Sequence, residues 1–354
     1  MTALEKILLG LISSFLVVII SLPSVYRVAK LKNLYDIPDN RKVHKQIVPR
    51  LGGIGIFAAV MFIGLLLIDF KNFPHASAIL AAIIIMFFTG IKDDILIIAP
   101  LTKMLGQTIA SLVIIFFAKI QLTDLHGFFS IHHISPIIGI PLTLLTILVI
   151  INAFNFIDGI DGLSASLGAL SGTTFGVWFY LVKDYNFAII AAILVGALLG
   201  FLPFNFSKKR KMFMGDSGSL ILGLIIAVLA IEFNQKNLLI KNSPYFILPA
   251  PAVSMGILAV PLYDMLRVIY IRLLTKRKIF KPDRSHIHHV FLALGFSHKQ
   301  IVLILTSINL FFIVFSFGFS SYITIRRMML ILLLMAMIIF FIPSSIARRR
   351  GLID

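Results

Sequence analysis

The chain has 354 residues, of which 59% are hydrophobic and 13% charged, with a mean hydropathy of +1.02. A soluble domain carries about 25% charged residues, so this balance excludes an ordinary cytosolic enzyme, a disordered chain and a nucleic-acid-binding module. The absence of cysteine removes disulfides, thiolate chemistry and Cys-based metal sites.

A helix crossing the hydrocarbon core needs about 20 mainly apolar residues. Eleven segments meet or approach that need: 6–26, 52–69, 76–91, 103–120, 137–156, 163–182, 187–205, 215–233, 245–271, 300–320 and 327–343. The first contains the apolar run Ile7 to Val25. This run is too long for a signal h-region and lacks a small-x-small cleavage site, so it reads as a span. The long ninth segment is expected to tilt or to run past the bilayer. The pattern predicts an all-α polytopic membrane protein with about eleven transmembrane helices in a single domain over 1–354. A cytoplasmic His-containing loop is expected at 275–299.

Placing the N-terminus outside puts 24 of the 32 Lys and Arg on cytoplasmic segments and 8 on outer ones. The positive-inside rule then sets the N-terminus outside and the C-terminus, with Arg348, Arg349 and Arg350, in the cytoplasm. Topology therefore accounts for most of the net charge of +17 without nucleic acid. What remains suits anionic lipid heads or phosphorylated substrates.

Ten of the 15 acidic residues fall in or beside the cytoplasmic segments: Asp36, Asp39, Asp93, Asp94, Asp158, Asp161, Asp216, Asp264, Asp283 and Asp354. A carboxylate at a helix centre costs about 2.5–3.5 kcal/mol on insertion scales, so the gathering needs a cause. Solvated loops suffice for Asp36, Asp39 and Asp354, but not for acids at helix ends in apolar, Gly-rich sequence. Asp93 and Asp94 end the third segment side by side, where they repel each other and oppose the macrodipole. They need a cation, a proton or a phosphate-bound metal.

Asn152, Asn155, Asp158 and Asp161 recur every three residues. On a continuing helix they share one face, and Gly159 and Gly162 follow where the chain turns back and backbone can approach a ligand. In Met214-Gly-Asp-Ser-Gly-Ser219, Asp216 and Ser217 are placed to cap the eighth helix, whose N-terminus suits phosphate. The preceding Lys208-Lys-Arg-Lys211 reads as a positive-inside anchor. In Pro282-Asp-Arg284-Ser-His286-Ile-His288-His289, His286 and His289 can face together at i,i+3. Beside Lys281 and Arg284 the cluster fits a phosphate or sugar better than a transition metal, which usually adds Cys or a matched carboxylate. Gly196 and Gly200 form a helix-packing GxxxG. His75, His126, His132 and His133 read as outer loop residues. Oxygen ligands alone point to a hard cation: Mg²⁺ takes one or two carboxylates and is completed by substrate phosphates.

These motifs together resemble the polyprenyl-phosphate N-acetylhexosamine-1-phosphate transferases. The match runs from Asp36 to Lys299. It takes in Asp36-Ile-Pro-Asp-Asn-Arg-Lys42-Val-His44, Pro49-Arg-Leu-Gly52-Gly53, Asp93-Asp94, Lys103, Asn152 to Gly162, Met214 to Ser219 and the 285–289 histidine run. The eleven-span, N-out topology resembles the same family. The resemblance implies transfer of N-acetylhexosamine-1-phosphate from a UDP-N-acetylhexosamine to undecaprenyl phosphate, with release of UMP. It implies Mg²⁺, with Mn²⁺ as a substitute, held by Asp216 and Asn155. Asp93 and Asp94 would lie at the catalytic centre. Asp158 and Asp161 would hold the nucleotide or support the metal site. Lys103 and Lys42 would neutralise phosphates. His44, Asn152, Asp264, Arg284, His286, His288 and His289 complete the implied substrate-binding set. The partners are the UDP-sugar, undecaprenyl phosphate and membrane lipids, without nucleic acid, and a homodimer is allowed. The location is the bacterial plasma membrane, with the site on the cytoplasmic face.

The His-x-His-His pattern resembles the GlcNAc-1-phosphate branch. The phospho-MurNAc-pentapeptide branch carries three consecutive histidines, a run that Ile287 interrupts here, and it is the alternative within the enzyme class. An ion-coupled transporter is the alternative from another class. It predicts midplane carboxylates and inverted repeats, whereas this sequence has acids at one leaflet edge and no convincing repeat.

Overall fold

The computed structural model describes residues 1–32, 34, 48–96, 98–275 and 286–352. Among these the chain runs α1 (Ala3–Leu31), α2 (Gly52–Leu67), α3 (Ala76–Leu96), α4 (Pro100–Phe116), β1 (Asp124–Phe128), β2 (Ile131–His133), α5 (Pro136–Ile157) and α6 (Leu163–Leu181). It continues through α7 (Tyr185–Asn205), α8 (Gly215–Leu239), α9 (Ala250–Ile257), α10 (Ala259–Leu274), α11 (Ile287–Ala293), α12 (His298–Gly318) and α13 (Ile325–Arg349). Each of the eleven apolar segments overlaps a helix. Among the described residues six helices are long and apolar enough to cross a membrane (α1, α5, α7, α8, α12 and α13), and seven if α9 and α10 form one span.

Helices in lipid gain little from the hydrophobic effect between them, so close backbone approach and polar links decide how they pack. The most apolar window of α8 is 89% buried, against 22% for α1 and for α13. The first is therefore central and the other two peripheral. Gly196 and Gly200 of α7 lie against α1, as their spacing predicts. A methyl at Gly200 would stand 2.8 Å from the Phe15 carbonyl and 3.0 Å from Val18. Gly223 of α8 approaches the Ile151 backbone of α5 in the same way, at 2.6 Å.

Three features depart from the sequence expectations. The ninth segment does not simply tilt: it breaks into α9 and α10, bent by 85°. Pro261, in the first turn of α10, has no N–H to give the Ile257 carbonyl four residues back, so the bond that would join α9 to α10 is missing. That carbonyl instead accepts from Asn309 Nδ2 at 2.9 Å and Ser171 Oγ at 3.0 Å. The Val260 N–H donates to Asn309 Oδ1 at 3.0 Å. A single buried amide thus replaces helix bonds at depth, where a free backbone group would be costly.

Secondly, the chain is not wholly α. Residues 124–133 form an antiparallel hairpin that pairs Asp124 with His133 and Phe128 with Ile131. Its bend uses left-handed backbone at His126, Gly127, Phe129 and Ser130, without the Asn-Gly or Asp-Gly signal that marks such turns in sequence. His126, His132 and His133 therefore lie on strands rather than in a loop. Thirdly, the expected 275–299 loop contains the helix α11.

Asn309→Leu leaves the Val260 N–H without an acceptor, at a cost of roughly 1–3 kcal/mol for an orphaned buried group. The expected outcome is a lower thermal unfolding midpoint in detergent. A midpoint equal to that of the unaltered protein would show that the break does not depend on this amide.

Candidate active site

The N-terminal end of α8 is the point on which the site is built. Its N-cap, Met214, offers no side-chain acceptor. The acceptor comes from α3: Asp94 takes the amide N–H of Asp216 at 2.7 Å, that of Ser217 at 3.0 Å, and the Ser217 hydroxyl at 2.7 Å. The cap expected from Asp216 or Ser217 is thus supplied across helices. The two amides that suited a phosphate already face a carboxylate. Gly215 makes this possible with a left-handed φ of +72°; a Cβ there would press on the Asp94 carboxylate at 2.6 and 2.7 Å. A methyl on Gly90 would meet the Ser217 backbone, and one on Gly53 the Gly218 backbone, so α3 and α2 both run close against α8. The 49–53 segment locks this end by backbone pairing. Phe213 N–H donates to the Pro49 carbonyl at 2.9 Å, Gly52 N–H to that of Phe213 at 3.0 Å, and Gly53 N–H to that of Met214 at 2.8 Å.

Asp93 points elsewhere, which relieves the repulsion between the adjacent acids. One oxygen accepts from the Ile98 N–H at 2.8 Å and the other from Lys103 Nζ at 3.2 Å. Lys103 also reaches Asp216 Oδ1 at 2.6 Å and Asn155 Oδ1 at 3.2 Å. One ammonium therefore stands amid three oxygens from α3, α5 and α8. The Asn155 amide donates to Asp216 and to Ser219 Oγ. Asn152 does not join this group. It pairs with Gln107, one turn along α4 from Lys103, with the Asn152 amide donating at 2.9 Å. The two Asn residues thus form successive rungs between α4 and α5, one at the site and one supporting it.

The expected single face over 152–161 also fails beyond Asn155, because α5 ends at Ile157 with Asp158 as its C-cap. The chain then turns through Gly159 and Gly162, the latter left-handed at φ +80°. Asp161 swings away to Lys211 Nζ at 2.7 Å and His298 Nδ1 at 2.8 Å. Burial opposes its charge, but the bonds to His298 and Lys211 outweigh this and hold its carboxyl below the usual range. Lys211 is thus more than a topological anchor. The Asp158 N–H donates to the Asn155 carbonyl at 3.4 Å, but its carboxylate has no hydrogen bond or ion pair with any described residue. Burial, followed by the charges of Asp216, Asp94 and Asp161, drives its carboxyl well above the usual range, with only partial relief from Arg50.

The histidines stand beside this turn. Asp264, fully buried on α10, receives His286 Nδ1 at 2.9 Å on one oxygen and the Ile287 N–H at 2.8 Å on the other. The start of α11 is thereby fixed. His288 lies against Gly159, where an added Cβ would stand 2.9 Å from its Nε2. Ring contacts run from His286 to His288 (5.7 Å, parallel) and from His288 to His289 (4.4 Å), in place of the expected i,i+3 pairing of His286 with His289. Burial, then the neighbouring His289 and His286, push the His288 imidazole well below its ordinary value, so it is neutral. Among the described residues no three His, Asp or Glu side chains gather as a metal-ligand set.

The structure thus brings Asp93, Lys103, Asn155 and Asp216 into direct contact, with Asp94 holding the helix end beneath them. Asp158, Asp161 and the histidines line the adjacent turn. Lys42, His44 and Arg284 lie outside the described residues. Gln107 and His298 are additions that sequence reasoning missed, while Lys211, read as an anchor, and Ser219, quoted only within its motif, gain side-chain partners in Asp161 and Asn155. Of the additions, only the isolated His298 at a helix start carried a local signal.

Residues 76–234 match the family model described as glycosyl transferase family 4. The chain is 33% identical over 313 residues to a probable undecaprenyl-phosphate N-acetylglucosaminyl 1-phosphate transferase of Bacillus subtilis (strain 168), spanning 87% of this chain and 83% of the relative. It is 32% identical over 301 residues to the undecaprenyl-phosphate alpha-N-acetylglucosaminyl 1-phosphate transferase of Escherichia coli (strain K12), spanning 84% of this chain and 79% of the relative. The similarly named protein of Yersinia pestis is 30% identical over 277 residues.

Two predictions separate the acids. Asp94→Ala orphans three donors at a helix end and should lower the unfolding midpoint more than Asp93→Ala, which leaves Lys103 its bonds to Asp216 and Asn155 and orphans only the Ile98 N–H; equal losses would refute the division of roles. Asp161, depressed in the folded state, contributes stability that is present above its unfolded value of about 3.9. That stability is lost as pH falls through the lowered value. Thermal midpoints measured from pH 5 downward should therefore fall more steeply for the unaltered protein than for Asp161→Asn, and parallel curves would count against the pairing.

Proposed function

The chain belongs to glycosyl transferase family 4, and on that premise we propose that it transfers GlcNAc-1-phosphate from UDP-GlcNAc to undecaprenyl phosphate, releasing UMP. The observation that carries this reading is the single ammonium of Lys103 amid oxygens of Asp93, Asn155 and Asp216. Two carboxylates outnumber this one cation, so the site suits a further cation that arrives with, and is completed by, the phosphates of a substrate. The names of the relatives favour the GlcNAc branch over the phospho-MurNAc-pentapeptide branch, as does the interrupted histidine run.

In the reaction, an oxygen of the lipid phosphate attacks the sugar-bearing phosphorus of the nucleotide. A new P–O bond forms, the bond to the bridging oxygen breaks, and UMP leaves with that oxygen. Phosphoryl transfer needs mainly positioning and charge neutralisation. Lys103 supplies positive charge at the reacting phosphates. The lipid phosphate is already largely ionised at neutral pH, so Asp93 orients it or relays a proton without being required as a base. The Asp158 carboxylate, without a partner among the described residues, is available to hydrogen-bond the nucleotide. Asp161 fixes the turn that presents it. His286, His288 and His289 face the sugar or its phosphate.

Mg²⁺ is part of this proposal, with Mn²⁺ as a substitute. The donor chemistry fits: carboxylate and amide oxygens suit a hard cation that keeps waters and takes substrate phosphates. Asp216 and Asn155 would hold the ion, which when bound would neutralise the diphosphate. The same reading places eleven spans in a bacterial plasma membrane, N-terminus outside and the site on the cytoplasmic face. It is supported by the distribution of Lys and Arg and by the acids clustered at one end of the helices.

The purified protein, given undecaprenyl phosphate and Mg²⁺ with UDP-GlcNAc, UDP-GalNAc or UDP-MurNAc-pentapeptide in separate reactions, should release UMP and form lipid-linked sugar with UDP-GlcNAc. Release with the pentapeptide nucleotide alone would move the chain to the other branch. Asp216→Ala should abolish turnover in a folded, extractable protein, and substantial residual activity would refute its role.

A further inference from the structure

A chain of buried polar side chains connects the C-terminal helix to the histidine loop. Ser344 on α13, Arg267 and Asp264 on α10, and His286 at the start of α11 are each less than one-tenth exposed. The Ser344 hydroxyl donates to the Phe340 carbonyl at 3.1 Å, which turns its lone pairs outward. One of these receives Arg267 Nη2 at 2.7 Å. The other terminal nitrogen, Nη1, stands 3.5 Å from Asp264 Oδ1. That same oxygen accepts the Ile287 N–H, while Oδ2 holds His286 Nδ1. A carboxylate at Nδ1 keeps that nitrogen protonated and leaves Nε2 as the working atom of the ring. The ring itself stands 5.5 Å from that of Phe156 and parallel to that of His288, beside the Asp158–Gly159 turn.

We propose that Ser344 is a positioning residue for donor binding, acting through Arg267 to fix the Asp264–His286 pair. The family reading already gives the histidines to the sugar nucleotide, and this inference rests on that reading; what it adds is a residue of a peripheral helix. A serine on a peripheral, otherwise lipid-facing helix has no need of a buried guanidinium. A buried guanidinium set beside a carboxylate that already holds two other donors keeps its plane only through its hydrogen-bond partners, and the Ser344 hydroxyl, at 2.7 Å, is a close one. The chain has one direction of effect. Removing the hydroxyl loosens Arg267, then Asp264, then the tautomer and orientation of His286. It does not touch Lys103, Asp93 or Asp216 on the far side of the turn.

The test uses the full-length protein in detergent with lipid. Ser344→Ala should raise KM for UDP-GlcNAc roughly tenfold, the factor that one lost hydrogen bond to a charged group carries. KM for undecaprenyl phosphate and kcat should stay close to those of the unaltered protein. Ser344→Thr, which keeps the hydroxyl, should restore the lower KM. In a His286→Ala background the Ser344→Ala change should add nothing, since both act through one ring. A second readout needs no substrate: the rate at which diethyl pyrocarbonate modifies His286, followed by peptide mass spectrometry, should rise several-fold in Ser344→Ala. An unchanged rate overturns the inference. So does an equal rise in both KM values with a lower unfolding midpoint that threonine does not rescue, because that pattern belongs to a purely structural serine. If the unaltered protein turns over no UDP-GlcNAc, the functional reading fails, and the His286 modification rate still decides whether Ser344 positions the ring.

Discussion

The carboxylate of Asp94 at the N-terminus of α8 is the interaction on which the site depends. Three donors meet it, two of them the first free amides of the most buried helix. A hydrogen bond contributes about 0.5–1.5 kcal/mol net and more where the acceptor is charged, and in lipid no hydrophobic force between helices competes with these three. The bond set fixes the depth of α8 against α3 and, through the 49–53 pairing, against α2. Gly53, Gly90 and Gly215 are the residues that let three backbones come this close. With that register set, Asp216 stands one residue into the helix, facing Lys103.

The remaining acids are sorted by their partners. Unit charges 4 Å apart interact by about 4 kcal/mol at an effective dielectric near 20, so carboxylates at this density can coexist only if cations are shared among them. Lys103 serves Asp93 and Asp216, Lys211 serves Asp161, and Arg267 stands with Asp264. Asp158 is left without a partner among the described residues, its proton held by burial and by the acids around it. It is the group whose charge state a substrate or cation would change most.

Support for the site comes from helices that hold none of its reacting groups. Asn309 of α12 closes the break between α9 and α10, which sets where Asp264 stands. His298 at the start of the same helix holds Asp161, and α13 contributes Ser344. The outer helices therefore do more than anchor the chain. They fix the angle at which the histidine run meets the turn after α5.

Composition and hydropathy were enough to show the helical class and the apolar segments, because a membrane-spanning helix must be apolar along its whole length. The motif residues were legible too: Asp93, Lys103, Asn155 and Asp216 are polar groups at the edges of apolar runs, where only a function or a partner justifies their cost. The sequence could not show which polar group faces which. That Asp94 caps α8 while its neighbour Asp93 meets Lys103 depends on the rotation of α3 about its axis, and one turn of helix separates Asn155 at the site from Asn152 on Gln107. The break at Leu258 and the partners of Asp161 rest on residues tens to more than a hundred positions away. Local pattern encodes which residues are polar and where a helix can run; only the packing of the helices decides which of those polar groups meet.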